Sequence, residues 1–122
     1  MNKRQIRQEV FKKYNGKCAY CGCELQKGWH VDHIKPAWHN WDGEDIKLRL
    51  KIEKGKDELD NYNPSCPRCN KWKSTFSIDQ FRDEISMQIE RLKRDSSSFR
   101  MALDYGLIKE TETKVKFYFE TL

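Results

Sequence analysis

The chain has 122 residues, of which 37% are hydrophobic and 35% are charged, and its formal net charge is +5. This length predicts a single domain, and so few apolar residues predict that the domain needs an added crosslink such as a bound metal. No apolar run approaches the roughly 20 residues of a membrane span, and no signal-peptide segment opens the chain, so we expect a cytoplasmic protein without a membrane partner.

The first predicted element is a helix over residues 3–14, because apolar side chains recur there at helical spacing and Asn15-Gly16 ends the pattern. Residues 29–34 predict a strand that ends before Pro36. The polar loop that follows, residues 37–45, contains two tryptophans that either cap the core or contact sugar and base faces. Alternation over residues 46–52 predicts a half-buried strand.

The second half of the chain is predicted to be mainly helical. Tyr62 is expected in a short strand that returns antiparallel to residues 29–34, and a helix is expected after Asn70. Ser77 has the pattern of an N-cap with Gln80 as its capping-box partner. The remaining elements are a helix over residues 78–94 whose apolar stripe faces the core or a second copy, a short helix over residues 96–105, and a terminal strand over residues 114–119.

The cysteines predict a metal site. Five cysteines, an odd number, fit metal binding in a reducing compartment better than a disulfide framework. Four of them form two Cys-x-x-Cys pairs, and four thiolates at this spacing are typical of one tetrahedral zinc. Cys23 is interpreted as a bystander, with competition for the metal as the alternative. The four predicted zinc ligands are Cys18, Cys21, Cys66 and Cys69.

A second set of polar residues predicts hydrolytic chemistry. The oxygens of Asp32 and Asn70 suit a hard divalent cation, and the imidazole of His33 suits a general base, a combination that fits phosphodiester hydrolysis. Since neighbours on a strand face opposite ways, a twist or bulge must turn Asp32 and His33 toward one cleft. Lys73, one helical turn after Asn70, is predicted to bind a flanking phosphate, and His30 stays unassigned between a substrate contact and a metal contact.

Basic residues are concentrated near these motifs. Residues 1–35 carry eight Lys or Arg against three Asp or Glu, and residues 66–76 carry three against none. This distribution predicts a phosphate-bearing partner such as DNA, with a merely solvated surface as the alternative.

The motifs in sequence order resemble the HNH nucleases. The resemblance rests on Cys-x-x-Cys, Val31-Asp32-His33-Ile34-x-Pro36, Asn61 and Cys-x-x-Cys-Asn-x-x-Lys, and it is close over residues 18–73. It implies an α+β chain with a ββα-metal (His-Me finger) core and a zinc knuckle of four cysteines, flanked by an N-terminal helix, C-terminal helices and a terminal strand. The implied organisation is one domain over residues 1–122, with its core at 18–76 and a helical extension at 77–122.

The same resemblance implies a role for each site residue. His33 takes the place of the general base, Asp32 and Asn70 those of the Mg²⁺ or Mn²⁺ ligands, and Asn61 that of the asparagine tying down the loop beneath the base. Asparagine at position 70, where many members have histidine, disfavours softer metals. The implied activity is DNA endonuclease; the alternatives are a non-catalytic zinc-stapled DNA-binding module and a resolvase of branched DNA. Similarity to small phage proteins adds a packaging terminase or a homodimer to the partners considered.

Overall fold

The computed structural model describes residues 1–36 and 55–122 of the chain. The predictions for the tryptophan-containing loop of residues 37–45 and for the strand of residues 46–52 lie outside the described residues. No helix in the described part is long and apolar enough to cross a membrane. The elements are α1 Lys3–Lys13, β1 His30–His33, β2 Tyr62–Ser65, α2 Pro67–Lys73, α3 Ile78–Ser86, α4 Gln88–Asp95 and α5 Ser97–Asp104, with short 3-10 helices at Leu59–Asn61 and Tyr118–Thr121.

Helix α1 begins and ends where local chemistry requires. The Asn2 side chain accepts from the Gln5 backbone N–H, and the Gln5 side chain accepts from the Asn2 N–H, both over 2.9 Å. At the other end, Asn15 and Gly16 have positive φ angles of 55° and 78°. The left-handed conformation ends a helix, so the predicted stop signal is confirmed.

Two short antiparallel strands form the sheet of the described residues. The register pairs His30 with Ser65 and His33 with Tyr62, which confirms both the predicted strand and the return of Tyr62 beside it. The backbone N–H of Ala19 donates to the Pro64 carbonyl over 2.8 Å, so the first cysteine pair is attached directly to β2. The described part of the chain is therefore a mixed α+β structure.

Helix α2 begins earlier than predicted. Cys66 is its N-cap, with the thiol sulfur accepting from the Cys69 backbone N–H over 3.4 Å, and Pro67 occupies the first helical position. Proline suits that position because its missing N–H would have no helical partner. The helix therefore contains the second cysteine pair instead of following Asn70.

The apolar stripe of residues 78–94 is divided between two helices. Ser77 and Gln80 form the predicted capping box at the start of α3. The helix ends at Ser86 and α4 begins at Gln88, so the continuous helix predicted there is wrong. Phe81 on α3 is 1% exposed, whereas Ile89 and Leu92 on α4 are 38% and 40% exposed. Only the first part of the stripe belongs to the core.

The C-terminal segment differs from its prediction. Helix α5 lies within the predicted range of residues 96–105, and the Ser96 hydroxyl caps it by accepting from the Phe99 N–H over 3.1 Å. The predicted terminal strand is wrong: two backbone bonds join this segment to the first cysteine pair, and the chain then turns into a 3-10 helix. The Glu120 carboxylate causes that turn by accepting from the Phe117 N–H over 2.9 Å.

The buried core surrounds the cysteines. The ring of Tyr20 packs edge to face on Phe81 at 5.5 Å and on Phe117 at 5.4 Å, and Phe81 stacks on Phe117 at 5.0 Å. These three side chains are at most 3% exposed. The buried cluster consists of Cys18, Ala19, Tyr20, Cys66, Cys69, Phe81 and Phe117.

Candidate active site and metal cluster

The four predicted zinc ligands come together. Their sulfur atoms all lie within 4.8 Å of one another, and the sulfurs of Cys21 and Cys66 are 3.8 Å apart. Zn–S bonds of about 2.3 Å place neighbouring sulfurs of a tetrahedron roughly 3.8 Å apart. The cluster can therefore hold a zinc ion with little movement. Cys23, the leftover cysteine, is exposed and does not belong to this group of ligand atoms.

The thiols of the cluster already share protons unequally. The pKa of Cys18 falls to about 4, first because the Cys69 thiol donates a hydrogen bond to it, and the pKa of Cys69 rises in turn. The Cys66 backbone N–H adds a bond of 3.4 Å to the Cys18 sulfur. A bound metal would take the place of the hydrogen bond between Cys69 and Cys18, because metal ligation requires deprotonated thiols.

The side chain of Asp32, on β1, belongs to a buried network of charged and polar groups. This side chain is 5% exposed, and the ammonium of Lys73, which is 0% exposed, lies 3.2 Å from Oδ2 and 3.4 Å from Oδ1. The Tyr20 hydroxyl donates to Oδ2 of the same carboxylate. Lys73 also donates to the His33 carbonyl over 2.7 Å. This one ammonium therefore joins α2 to the last two residues of β1.

Burial shifts the pKa of both members of this ion pair. Desolvation raises the pKa of Asp32, against the attraction of Lys73, and lowers the pKa of Lys73, against the attraction of Asp32. Both shifts favour the neutral forms, because the two charged groups lose hydration when the ion pair is removed from water. The amide oxygen of Asn63, opposite Asp32 in the sheet, is buried without a hydrogen-bond partner in the described part of the chain. Oxygen atoms of these types are the ligands that a hard cation takes.

His33 occupies the other face of the sheet. Its Nε2 lies 2.7 Å from a carboxylate oxygen of Asp57, its ring packs edge to face on Tyr62, and its side chain is 28% exposed. In the regular register of β1 and β2, Asp32 pairs with Asn63 and His33 pairs with Tyr62. The bulge expected to turn Asp32 and His33 to one side is not present in this register, so the two side chains leave opposite faces.

Asn61 ties together the two loops that flank the sheet. Its side-chain oxygen accepts from the Lys35 N–H over 2.8 Å, and its amide nitrogen donates to the carbonyls of Lys35 and Lys56, each over 2.9 Å. Gly55 allows this close approach, because a Cβ there would lie 1.8 Å from the Lys35 carbonyl oxygen. The chain leaving His33 is thereby fixed to the chain that enters β2.

Asn70 and Lys73 lie on the same face of α2, but only Lys73 has a position that contradicts its predicted role. Asn70 is half-buried on α2, one turn before Lys73 and so on the same face of the helix. Lys73 was predicted to bind a phosphate, and its complete burial contradicts that role, since the Asp32 carboxylate has drawn its ammonium into the interior. His30, the first residue of β1, is exposed.

Sequence reasoning missed three residues that contact the site. Tyr20 and Asn63 accompany Asp32, and Asp57 accompanies His33. Nothing in the local pattern marks Asp57, which lies in an acidic and basic stretch before β2. Tyr20 gave a weak signal, because an aromatic ring between two predicted metal ligands favours burial beside them.

Comparison with known proteins places these motifs in one family model. Residues 18–76 match the model described as HNH endonuclease, which confirms the resemblance seen in the motifs. The matched segment includes both cysteine pairs, both strands and α2. Comparisons with curated proteins and with solved structures gave no match.

Proposed function

We propose that the chain is a metal-dependent endonuclease that hydrolyses DNA phosphodiester bonds, because its residues 18–76 match the HNH endonuclease family model. In this proposal β1, β2 and α2 are the ββα-metal unit, and the four cysteines hold a structural zinc. Residues 77–122 extend the same domain, since Phe81 and Phe117 pack around the cysteines. Five free thiols suit a reducing compartment such as the cytoplasm.

The observation that carries the proposal is the attachment of α2 to β1. Lys73 bonds both Asp32 and the His33 carbonyl, and Asn70 lies one turn earlier on the same helical face. These contacts support a shared metal site at Asp32 and Asn70. A divalent cation held there, Mg²⁺ or Mn²⁺, would stabilise negative charge on the phosphoryl and leaving oxygens.

The chain's own groups perform the proton transfer in this proposal. His33, the last residue of β1, takes a proton from the attacking water as general base; because its side chain and that of Asp32 leave opposite faces, the proposal places the scissile phosphate at the end of the strand, next to both residues. Asp57 fixes the imidazole: when Nε2 carries the ring proton it donates to Asp57, which sets the tautomer and the ring orientation. Asn61 holds the loop after His33 in place through its three hydrogen bonds, and so it acts as a positioning residue.

Plasmid cleavage in Mg²⁺ or Mn²⁺ tests this function. The His33→Ala protein is expected to keep its zinc content and unfolding temperature and to lose cleavage by a factor of at least about 100. His30→Ala is the matched control, because it removes an imidazole from the same strand at an exposed position. Cleavage by His33→Ala at the wild-type rate would show that the base is assigned to the wrong residue.

One observation favours a second candidate, a zinc-stapled module that binds DNA without cutting it. Asp32 is almost fully buried and already accepts from Lys73 and Tyr20, as it would in a structural role. This candidate predicts no cleavage in any divalent metal and DNA affinity that is unchanged by a chelator that removes Mg²⁺ but spares zinc. No feature of residues 1–36 or 55–122 favours a terminase or a second copy as partner.

A further inference from the structure

Tyr20 connects the cysteine cluster to Asp32 and has no part in the function proposed above. It lies between Cys18 and Cys21 and is 3% exposed. Its phenol hydroxyl donates to Oδ2 of Asp32. Because that proton is committed to the carboxylate, the hydroxyl oxygen can only accept a second bond, and the Asn63 amide donates to it over 3.4 Å.

The position of Tyr20 is fixed from three directions. Its ring packs edge to face on Phe81, Phe117 and Phe119 at centroid distances of 5.5, 5.4 and 6.1 Å. Its carbonyl accepts from the Tyr118 N–H over 2.9 Å. Cys18 and Cys21, on either side in sequence, belong to the metal cluster. Movement of the hydroxyl therefore requires movement of the cluster, the core or the C-terminal segment.

The hydroxyl holds the carboxylate by a fixed hydrogen bond, because it donates to Oδ2 of Asp32 while its ring is packed in the core. A carboxylate that accepts from a fixed O–H on one oxygen has a restricted rotation, which is how groups behind a metal ligand set its orientation.

We propose that Tyr20 is a positioning residue that transmits the geometry of the cysteine cluster to the Asp32 carboxylate and so sets the affinity of that carboxylate for the divalent cation. The inference rests on the proposed function, in which Asp32 is a metal ligand. Tyr20 contacts neither substrate nor reacting atoms in this role. Ordering of the cluster by zinc thereby becomes a condition for binding the second metal.

The test uses the zinc-loaded, full-length protein and Mn²⁺ as the probe. Tyr20→Phe removes only the hydroxyl and keeps the ring contacts, and Lys73 remains 3.2 Å from the carboxylate. Tyr118→Phe is the matched control, because that ring packs on Tyr14 instead. Mn²⁺ binding is measured without DNA by electron paramagnetic resonance, at a temperature at which the wild type and both variants are folded. Zinc content is determined on the same samples.

We expect Tyr20→Phe to bind Mn²⁺ about 10-fold more weakly at unchanged zinc content, and Tyr118→Phe to bind it as the wild type does. Plasmid cleavage by Tyr20→Phe should recover when the Mn²⁺ concentration is raised, since the loss is one of affinity. A purely structural role of the hydroxyl would not give this recovery.

Other results overturn the inference in distinguishable ways. Unchanged Mn²⁺ affinity in Tyr20→Phe, with weakened affinity in Asp32→Asn, would refute the role of Tyr20 alone. Loss of zinc from Tyr20→Phe would refute it too, because the hydroxyl would then support the cluster itself. Equal Mn²⁺ binding by the wild type and Asp32→Asn would refute the metal assignment in the proposed function, and this inference with it.

Discussion

The cysteine cluster and the Asp32–Lys73 pair lie on either side of Tyr20, and they differ in how their charge is balanced. The cluster places four thiols within 4.8 Å of one another, where several thiolates would repel strongly. The pair contains its own counter-ion, an ammonium 3.2 Å from the carboxylate. The cluster can hold a metal ion among its four sulfurs, whereas the pair is satisfied without one.

This difference separates a structural ion from an exchangeable one. A metal bound by four thiolates at the centre of the core stabilises the whole fold, because the core residues pack around its ligands. A cation at Asp32 would instead compete with Lys73 for the same oxygens, which lowers its affinity. We therefore expect zinc to stay bound through purification and the divalent cation to exchange with solvent.

The largest effect should follow loss of the cluster. Cys69→Ala is expected to abolish zinc binding and cooperative unfolding, because apparent zinc-binding energies in small domains reach about 10–16 kcal/mol. Circular dichroism on heating and zinc content measure this. Cys23→Ser, an exposed cysteine outside the cluster, should change the free energy of unfolding by less than about 0.5 kcal/mol. Equal behaviour of the two variants would mean that the cluster binds no structural metal.

Breaking the ion pair should have the next largest effect. Lys73→Met leaves the Asp32 carboxylate buried and without its counter-ion, so we expect the free energy of unfolding to fall by about 3–5 kcal/mol in urea titrations. Adding Asp32→Asn should restore most of this loss. Lys71→Met, at an exposed lysine of the same helix, is the control and should be neutral. A stable Lys73→Met protein would contradict the buried pair.

Removing the hydrogen bonds of Asn61 should have a moderate effect on stability and should also reduce the activity of the proposed base, His33. Asn61→Ala removes three hydrogen bonds and should lower the free energy of unfolding by about 1–3 kcal/mol, with reduced cleavage and unchanged zinc. Gly55→Ala should act in the same direction, because its Cβ would meet the Lys35 carbonyl. Wild-type cleavage by both variants would separate the loop from the reaction.

The smallest effect concerns the C-terminal segment that backs Tyr20. Arg82, and then the Phe117 N–H, lower the pKa of Glu120 below its ordinary 4.5, so the native state releases this proton more readily than the unfolded state. The stabilisation is present above pH 4.5 and is lost as the pH falls through the lowered value. Glu120→Gln should lower the free energy of unfolding at pH 7 by less than about 1 kcal/mol, with the difference shrinking in acid. A pH-independent difference would contradict this.

Local signals were predicted well where a residue and its partner are close in sequence. The capping box at Ser77 and the stop at Asn15-Gly16 depend on neighbours within a few residues, and each is present. Residues 114–119 show where such signals fail. Their alternation is real, since Phe117 is buried, but a strand needs a partner edge, and the first cysteine pair offers only two backbone bonds.

The candidate site shows the same difference between features set by short-range sequence and features set by contacts between distant residues. Residue types and spacing were enough to identify the four cysteines that come together and the family whose model matches residues 18–76. The surroundings of Asp32 were not accessible, because Lys73 lies 41 positions away and either exposure or burial suits a lysine on a short helix. The expectation that Lys73 faces a phosphate failed for this reason. The contact between His33 and Asp57 was hidden equally, since it spans 24 positions.

The sequence by itself determined which four cysteines come together, the capping box at Ser77, the helix stop at Asn15-Gly16 and the match of residues 18–76 to one family model. Each of these depends on short-range spacing and side-chain chemistry. Only the tertiary structure decided which charges are buried together. It directed Lys73 inward to Asp32, placed the Tyr20 hydroxyl between the cysteines and that carboxylate, and set His33 on the opposite face. Burial and long-range pairing depend on how separate segments pack, and no local pattern encodes that outcome.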